Sequence, residues 1–267
     1  MLKFIFSWKG LRVFILLIIL MLVWSHTQKQ QRLTTTWNTQ LDVVLYPINA
    51  DDSVATTKHI DGFEDQHIEP VTRFISRQSQ VYKLWNDKPV KITLDKSITE
   101  KPPLPPANGS ILKTMLWSLK FRWWSNQHKA DDDHLTRIRL YVMFYDPKDF
   151  NRLPHSTGLQ KGLLGIVHAF ADKSYNTQNN VITVHELLHT LGATDKYDLQ
   201  SGQPVFPHGY ADPEITPLLP QKRAEIMGGR IPVTKTKSDM PDSFASIIIG
   251  ELTAKEIGWI DQSIVIY

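Results

Sequence analysis

The first marked feature along the chain is an unbroken apolar run at residues 13–24, VFILLIILMLVW. More apolar residues precede it, and basic residues stand on both sides. The run has the length of the apolar part of an export signal, about 7–15 residues, but no small-residue cleavage site follows Trp24. With its upstream residues it approaches the about 20 residues that a spanning helix needs. We therefore predict a membrane anchor over residues 1–26, with a cleaved signal peptide as the alternative.

The rest of the chain alternates short β-type runs with longer stretches of helical apolar spacing. A polar segment over residues 27–40 is predicted as a linker. The predicted strands are 41–48, 89–94, 135–145 and 163–170. The predicted helices are 68–86, 111–124, 180–191 and 252–259. Asn179 or Asn180 is expected to cap the third helix and Thr253 the last one. The proline-rich stretch 199–247 is predicted as loop, so the pattern favours one α+β domain over 41–267 with a mixed sheet.

The positive charge of the chain is concentrated at its N-terminus. The formal net charge is +3, from 30 basic and 27 acidic residues. Five basic residues precede the first acidic one, Asp42, which leaves 25 basic against 27 acidic residues in the remaining chain. The basic start predicts that the N-terminus lies in the cytoplasm and the body outside it, in the periplasm or the extracellular space. A body so near neutrality does not indicate a nucleic-acid-binding surface.

The chain contains no cysteine. This excludes disulfides, thiolate metal sites and a cysteine nucleophile. Any metal ion therefore has to be held by His, Asp, Glu or Tyr side chains. The strongest candidate for such a site is the segment 185–195, HELLHTLGATD, which contains the HExxH pattern of zinc proteases.

The spacing of this segment has a direct physical meaning. On a helix, His185 and His189 lie one turn apart and can present both imidazoles to one metal ion. Glu186 projects from the same turn, where it can take a proton from a water molecule that the ion acidifies. Gly192 suits a left-handed helix end, which turns the chain sharply, and Asp195 follows where that turn can return a third ligand. The sequence thus predicts a zinc site of His185, His189 and Asp195, with Glu186 as general base.

The segment resembles the extended zinc signature of the metzincin clan of metallopeptidases, HExxHxxGxxH, with Asp195 in the place of the third histidine. Metzincins also have a methionine turn beneath the metal, and Met227 is the matching candidate. The resemblance implies a zincin-like domain with a zinc-binding active-site helix. It also implies that the strand 163–170 is the sheet edge that binds extended substrate by strand addition. The chain departs from some clan members at Gly229, where those have an additional tyrosine ligand.

The identity of the third ligand has alternatives. Asp198 and His208 are rivals of Asp195. Glu214 or Glu225 would take the role if the site followed the other zincin plan, in which a glutamate from a later helix binds zinc. The prolines around Glu214 argue against such a helix.

Other chemically distinctive residues have a simpler expected role. Tyr197 and Tyr210 are candidates for stabilising an oxyanion. His168 lies in an apolar strand and is expected to be a core histidine. Asp131–Asp133 are expected in a solvated turn. An aromatic cluster is expected in the core, formed by Trp117, Phe121, Trp123 and Trp124.

These patterns together predict a membrane-anchored or exported zinc endopeptidase that acts on protein or peptide substrates. Two alternatives stay open: a binding protein that keeps the zincin fold without turnover, and a zinc hydrolase that acts on a non-peptide bond such as a cell-wall amide. Glu186 argues against the first, because a purely structural site has no use for a base.

Overall fold

The computed structural model describes residues 8–106, 110–128, 134 and 136–260. Its helices are α1 (Trp8–Thr35), α2 (Val54–Asp61), α3 (Asp65–Val81), α4 (Ile111–Gln127), α5 (Asn176–Leu191) and α6 (Glu251–Glu256). Its main strands are β1 (Leu41–Asn49), β2 (Val90–Leu94), β3 (Ile138–Tyr145), β4 (Thr157–Leu159) and β5 (Leu164–Phe170). Four two-residue strands follow, β6 (Ala224–Glu225), β7 (Ile231–Pro232), β8 (Ser238–Asp239) and β9 (Ile247–Ile248). The fold is therefore α+β with a mixed sheet, as the sequence predicts.

The apolar N-terminal run belongs to a single long helix, α1. Residues 10–35 of this helix are long and apolar enough to cross a membrane, and only 6% of their most apolar window is buried against the rest of the protein. The helix continues to Thr35, so the segment 27–40 is helical over much of its length rather than the expected linker. The physical reason is that its Gln, Lys, Arg and Leu residues are good helix formers and no Gly or Pro interrupts them.

The end of α1 is fixed to the folded domain. Thr34 is only 2% exposed, and Trp37 just after the helix is only 1% exposed. The Trp37 indole N–H donates a 2.7 Å hydrogen bond to the backbone carbonyl of Ile257, and its ring meets that of Trp259 edge-on. The apolar helix and the domain are thus joined through packed side chains.

Five strands form the main sheet in the order β2-β1-β3-β5-β4. β2, β1, β3 and β5 are parallel, whereas β4 is antiparallel and pairs residues 157–159 with 164–166 of β5. The expectation that the strand 163–170 forms the edge of the sheet is wrong, because the short β4 folds back along it. β4 is the actual edge strand, and it lies against α5.

Alternate residues of the central strands enter two apolar layers on opposite faces of the sheet. On one face, α3 and α5 bury side chains that include Val71, Phe74, Val184 and Leu187. On the other face, α4 buries Trp117, Phe121 and Trp124. The core position is thus confirmed for three members of the aromatic cluster, but Trp123 is 63% exposed.

Some local predictions fail where tertiary contacts compete. The helix α2 is missing from the sequence reading; its first turn is capped by Ser53, whose hydroxyl accepts a hydrogen bond from the Thr56 amide. The last helix begins after Gly250, not at Thr253, because the Thr253 hydroxyl donates to the buried Glu225 carboxylate instead. Asp131–Asp133 lie outside the described residues.

His168 is a buried core histidine, as expected. It is only 1% exposed on β5, and its Nδ1 lies 2.9 Å from the hydroxyl of Tyr145. Burial, with a smaller contribution from the nearby His155, lowers the pKa of His168 to about 4. The folded protein therefore holds this imidazole neutral over a pH range in which the unfolded chain protonates it.

This depressed pKa predicts a loss of stability in acid. The unfolded state takes up the proton near pH 6.5 and the folded state only near 4. Above pH 6.5 the imidazole is neutral in both states and does not lower the free energy of unfolding. As the pH falls from 6.5 toward 4, only the unfolded state is protonated, so the free energy of unfolding decreases. We expect His168→Asn, whose amide still reaches Tyr145, to lose about 2 to 3 kcal/mol less unfolding free energy than the native chain between pH 7 and pH 4.5. Urea unfolding of both metal-free proteins at the two pH values measures this. Equal losses in the two proteins would contradict it.

Candidate metal centre

The helix that carries the HExxH motif, α5, is tied to its surroundings by two asparagines. Asn179 and Asn180 were expected to cap the helix, but it begins earlier, at Asn176. Asn179 instead clamps the end of β5, because its side chain both accepts from the Phe170 amide and donates to the Phe170 carbonyl. Asn180 donates to the carbonyl of His67, at 2.8 Å, in α3. These bonds fix the helix relative to the sheet.

α5 ends at Leu191 and is capped by Gly192, as the spacing predicts. Gly192 has a left-handed φ of 109°, a conformation that glycine adopts without steric cost. Its amide bonds to the carbonyl of His189, and the next amide, of Ala193, bonds one residue further back. The chain is thereby turned back toward the helix, and Asp195 comes to lie beside the two histidines.

Three predicted ligand atoms converge at this place. The Nε2 atoms of His185 and His189 are 3.1 Å apart, and each lies 3.1 Å from Oδ1 of Asp195. Ligands at about 2.0–2.1 Å from a tetrahedral zinc ion are about 3.3 Å from one another, so the triangle has the size of one face of such a site. Within the described part of the chain, this is the one His and acidic group with metal-binding spacing.

The second ring nitrogens explain why this triangle suits a cation. Nδ1 of His185 lies 3.0 Å from the carbonyl of Ile226, and Nδ1 of His189 lies 2.8 Å from the carbonyl of Ala193. A carbonyl only accepts, so each Nδ1 carries the hydrogen, and in a neutral ring each Nε2 then presents a lone pair. Two lone pairs and a carboxylate oxygen repel one another unless positive charge lies between them. The donor set therefore fits a metal ion.

The pKa shifts of the metal-free chain also indicate that the triangle favours a positive charge. Burial alone would lower the pKa of His185, but the hydrogen bond that the ring donates to the Asp195 carboxylate and the charge of Glu186 outweigh it and raise the pKa to about 9. For Asp195, burial is again opposed, and the two imidazoles hold its pKa well below the usual range. The three side chains thus stabilise a shared positive charge.

Glu186 lies next to the triangle and is only 5% exposed. Burial raises its pKa, and its carboxylate accepts a hydrogen bond from the Gly158 amide in β4. Its Oε2 has no hydrogen-bond partner among the described residues. A Cβ at position 158 would lie 2.6 Å from both the Glu186 carbonyl and the His189 side chain, so only glycine lets β4 pass so close to α5.

A tight turn, residues 225–229, lies directly against the histidines. The carbonyl of Ile226 faces His185, and the carbonyl of Met227 accepts from the Lys196 amide at 2.9 Å. Met227 is fully buried. The turn that contains Met227 thus contacts His185 through the backbone carbonyl of Ile226.

The turn depends on Glu225, whose role sequence reasoning missed. This fully buried carboxylate accepts from the amides of Met227, Gly228 and Gly250 and from the Thr253 hydroxyl, at 2.7–3.0 Å. It is therefore a structural anchor of the turn and not a metal ligand. A glutamate two residues before the turn methionine was the available signal, but the partners at 250 and 253 are visible only in the fold.

Replacing Glu225 by glutamine is expected to weaken the fold. The new amide group presents hydrogens to amides that also donate, so buried donors lose their acceptor, and the free energy of unfolding should fall by about 3 kcal/mol. Glu251→Gln is the matched control, because that side chain is 69% exposed and pairs with Lys255 on the helix surface; it should change stability by about 0.5 kcal/mol or less. Urea denaturation measures both, and equal effects would contradict the role of Glu225.

The rival ligands lie elsewhere. Asp198 is exposed and accepts hydrogen bonds from the amide and hydroxyl of Ser201, which closes a surface turn. His208 and Glu214 are exposed and do not belong to the metal-binding group. Of the candidates, Asp195 is thus the residue that the fold brings to the histidines.

Of the two tyrosine candidates, one lies beside the metal-ligand triangle and the other does not. The Tyr197 ring centroid lies 6.2 Å from that of His185, and its hydroxyl interacts with Asp195. Burial, and then the nearby carboxylates of Asp195 and Glu186, raise its pKa to about 12, so the phenol keeps its proton. Tyr210 instead stacks edge-on against Phe206. Only Tyr197 lines the cleft beside the triangle.

The triangle opens into a cleft of about 930 Å³. Thr157 and Gly158 of the edge strand β4 line one side of it. Arg152 and Arg230 also line this cleft and a neighbouring cavity of about 600 Å³.

Comparisons with models of known protein families and with curated proteins find no match for this chain.

Proposed function

We propose that this protein is a zinc-dependent endopeptidase of the metzincin type. The observation that carries the proposal is the convergence of His185, His189 and Asp195, with both Nδ1 atoms held by backbone carbonyls and Glu186 buried beside them. The methionine turn against His185 and the edge strand β4 along α5 give independent support for the clan.

Zinc bound by these three residues would supply Lewis acidity toward water and toward a scissile carbonyl. Glu186 is assigned as the general base, because its Oε2 is buried and has no hydrogen-bond partner in the described part of the chain. It would take the proton of the attacking water and later deliver it to the leaving amine. Tyr197, which keeps its proton, is assigned as the donor that stabilises the developing oxyanion.

β4 is assigned as the substrate-binding element. It forms the edge of the sheet, so an extended peptide can add to it as a further strand and thereby lie along the cleft. Gly158 supports this assignment, because it lets that edge approach Glu186 and His189 closely. The backbone of β4 would then hold the peptide, while cleft side chains select among peptides.

The proposed location is a membrane surface outside the cytoplasm, or the exterior if the apolar segment is removed after export. The length and low burial of α1 support anchoring. The basic residues that precede the apolar run favour a cytoplasmic N-terminus.

The full chain purified in detergent tests the proposal. We expect about one equivalent of zinc by elemental analysis, cleavage of a peptide library or a denatured protein, loss of cleavage with a chelator and recovery with zinc. Zinc-loaded protein that cleaves no peptide would overturn the peptidase assignment. Iron as the bound metal would also argue against it, because two histidines and one carboxylate are the ligand set of iron oxygenases as well.

A further inference from the structure

The helix α4 is apolar on two opposite faces. One face is packed on the sheet through Trp117, Phe121 and Trp124. The other faces away from the domain, and its large apolar side chains are each at least 57% exposed: Ile111, Leu112, Met115, Leu116, Leu119 and Trp123. A helix that is apolar all round is normally buried on all sides, in a core or in a membrane. The outer face of α4 is therefore an exposed apolar surface on a helix whose composition is typical of burial on all sides.

Basic residues border one margin of this outer face. At 3.6 residues per turn, Lys113 and Lys120 fall beside Leu116 on that margin of the exposed apolar stripe. Arg122 is instead half-buried and held against the domain, because its Nε donates a hydrogen bond to the carbonyl of Lys161. The helix contains no acidic residue. Long basic side chains beside an apolar stripe can reach phosphate groups while the stripe itself is immersed in acyl chains. This is the arrangement of helices that lie in the plane of a membrane interface.

We propose that the outer face of α4 lies in the interface of an anionic lipid bilayer, the one that α1 enters. The charge of Lys113 and Lys120 on the margin is complementary to anionic headgroups, and α1 brings the domain to such a surface. The domain would then have two attachments, a spanning helix and an interfacial one.

The absence of cysteine makes the proposal directly testable. Single cysteines at Leu116 in α4, Leu17 in α1 and the 85% exposed Val54 in α2 are labelled with an environment-sensitive fluorophore. The full chain is reconstituted into phosphatidylcholine vesicles that contain phosphatidylglycerol and a spin-labelled quencher lipid. We expect the labels at 116 and 17 to lose most of their fluorescence to the quencher, and the label at 54 to keep it.

A second variant tests the electrostatic part. Lys113→Gln combined with Lys120→Gln should weaken docking on the anionic vesicles by about 30-fold, so that quenching at 116 falls while quenching at 17 stays unchanged. Equal quenching at 116 with and without the two lysines would overturn the assigned role of the headgroups.

Other results would overturn the proposal itself. The proposal is overturned if the lipid quencher does not quench the label at 116 in anionic vesicles. This holds whatever the label at 17 shows, because position 17 reports separately on the insertion of α1. Probe self-quenching at 116 that rises with the number of chains per vesicle, without quenching by the lipid, would mean that a second copy of the chain covers this face instead.

Discussion

Replacing Glu186 by glutamine is expected to lower kcat for peptide hydrolysis by about 10³- to 10⁴-fold, because the amide cannot accept the proton of the attacking water. The metal should stay bound, since the carboxylate lies beside the ligand triangle and none of the three ligand atoms comes from it. Glutamine also has nearly the shape of glutamate, so the fit of β4 over α5 is kept. A steady-state assay on a fluorogenic peptide, with metal analysis of the same sample, measures both quantities.

The control for this variant is Glu69→Gln. Its carboxylate is 60% exposed and pairs with Arg73 on the surface of α3, so kcat should not change. Full activity of the Glu186→Gln protein would exclude the assigned base. Loss of activity together with loss of the metal would instead show that Glu186 holds the site together.

Replacing Asp195 by alanine is expected to weaken zinc binding by at least about 100-fold, because one of three protein ligands is removed. The change should also lower the pKa of His185 in the metal-free chain, because it removes the carboxylate whose hydrogen bond and charge raise that pKa. Competition with a zinc-chelating dye measures the affinity, and activity at limiting zinc should fall in parallel.

Two further substitutions make this result specific. Asp198→Ala should leave the affinity unchanged, because Asp198 closes a surface turn with Ser201. Asp195→His restores the three-histidine form of the signature and is expected to retain zinc. Unchanged affinity in Asp195→Ala, or a loss in Asp198→Ala, would sink the ligand assignment.

Much of the candidate site was predictable because it is local. His185, Glu186 and His189 share one helical turn, and Gly192 and Asp195 follow within a single turn of chain, so short-range geometry brings them together. Two partners of these residues are distant in sequence: the carbonyl of Ile226, which faces His185, and the amide of Gly158, which donates to Glu186. Spacing contains no information on such contacts, which explains why Glu225 was considered as a ligand when it anchors the turn.

The secondary structure follows the same division. Strands β1, β2, β3 and β5 and helices α3, α4 and α5 agree with the periodic pattern, since each buries a regular face. The short strand β4 was not predictable, because three residues have no period and it exists only by pairing with β5. α1 extends beyond the predicted anchor, because the polar residues after the apolar run have the composition of a linker but are also good helix formers.

The sequence by itself determined the apolar start, its charge asymmetry and a compact HExxH segment, because each depends on neighbours within a few residues. The tertiary structure decided which of Asp195, Asp198 and His208 stands beside the histidines, which strand forms the edge, and which face of α4 is left exposed. These are matters of long-range packing, where parts of the chain far apart in sequence compete for the same space. Basic residues that the sequence shows near the N-terminus thus have a counterpart that only the fold shows, Lys113 and Lys120 beside the exposed apolar face of α4.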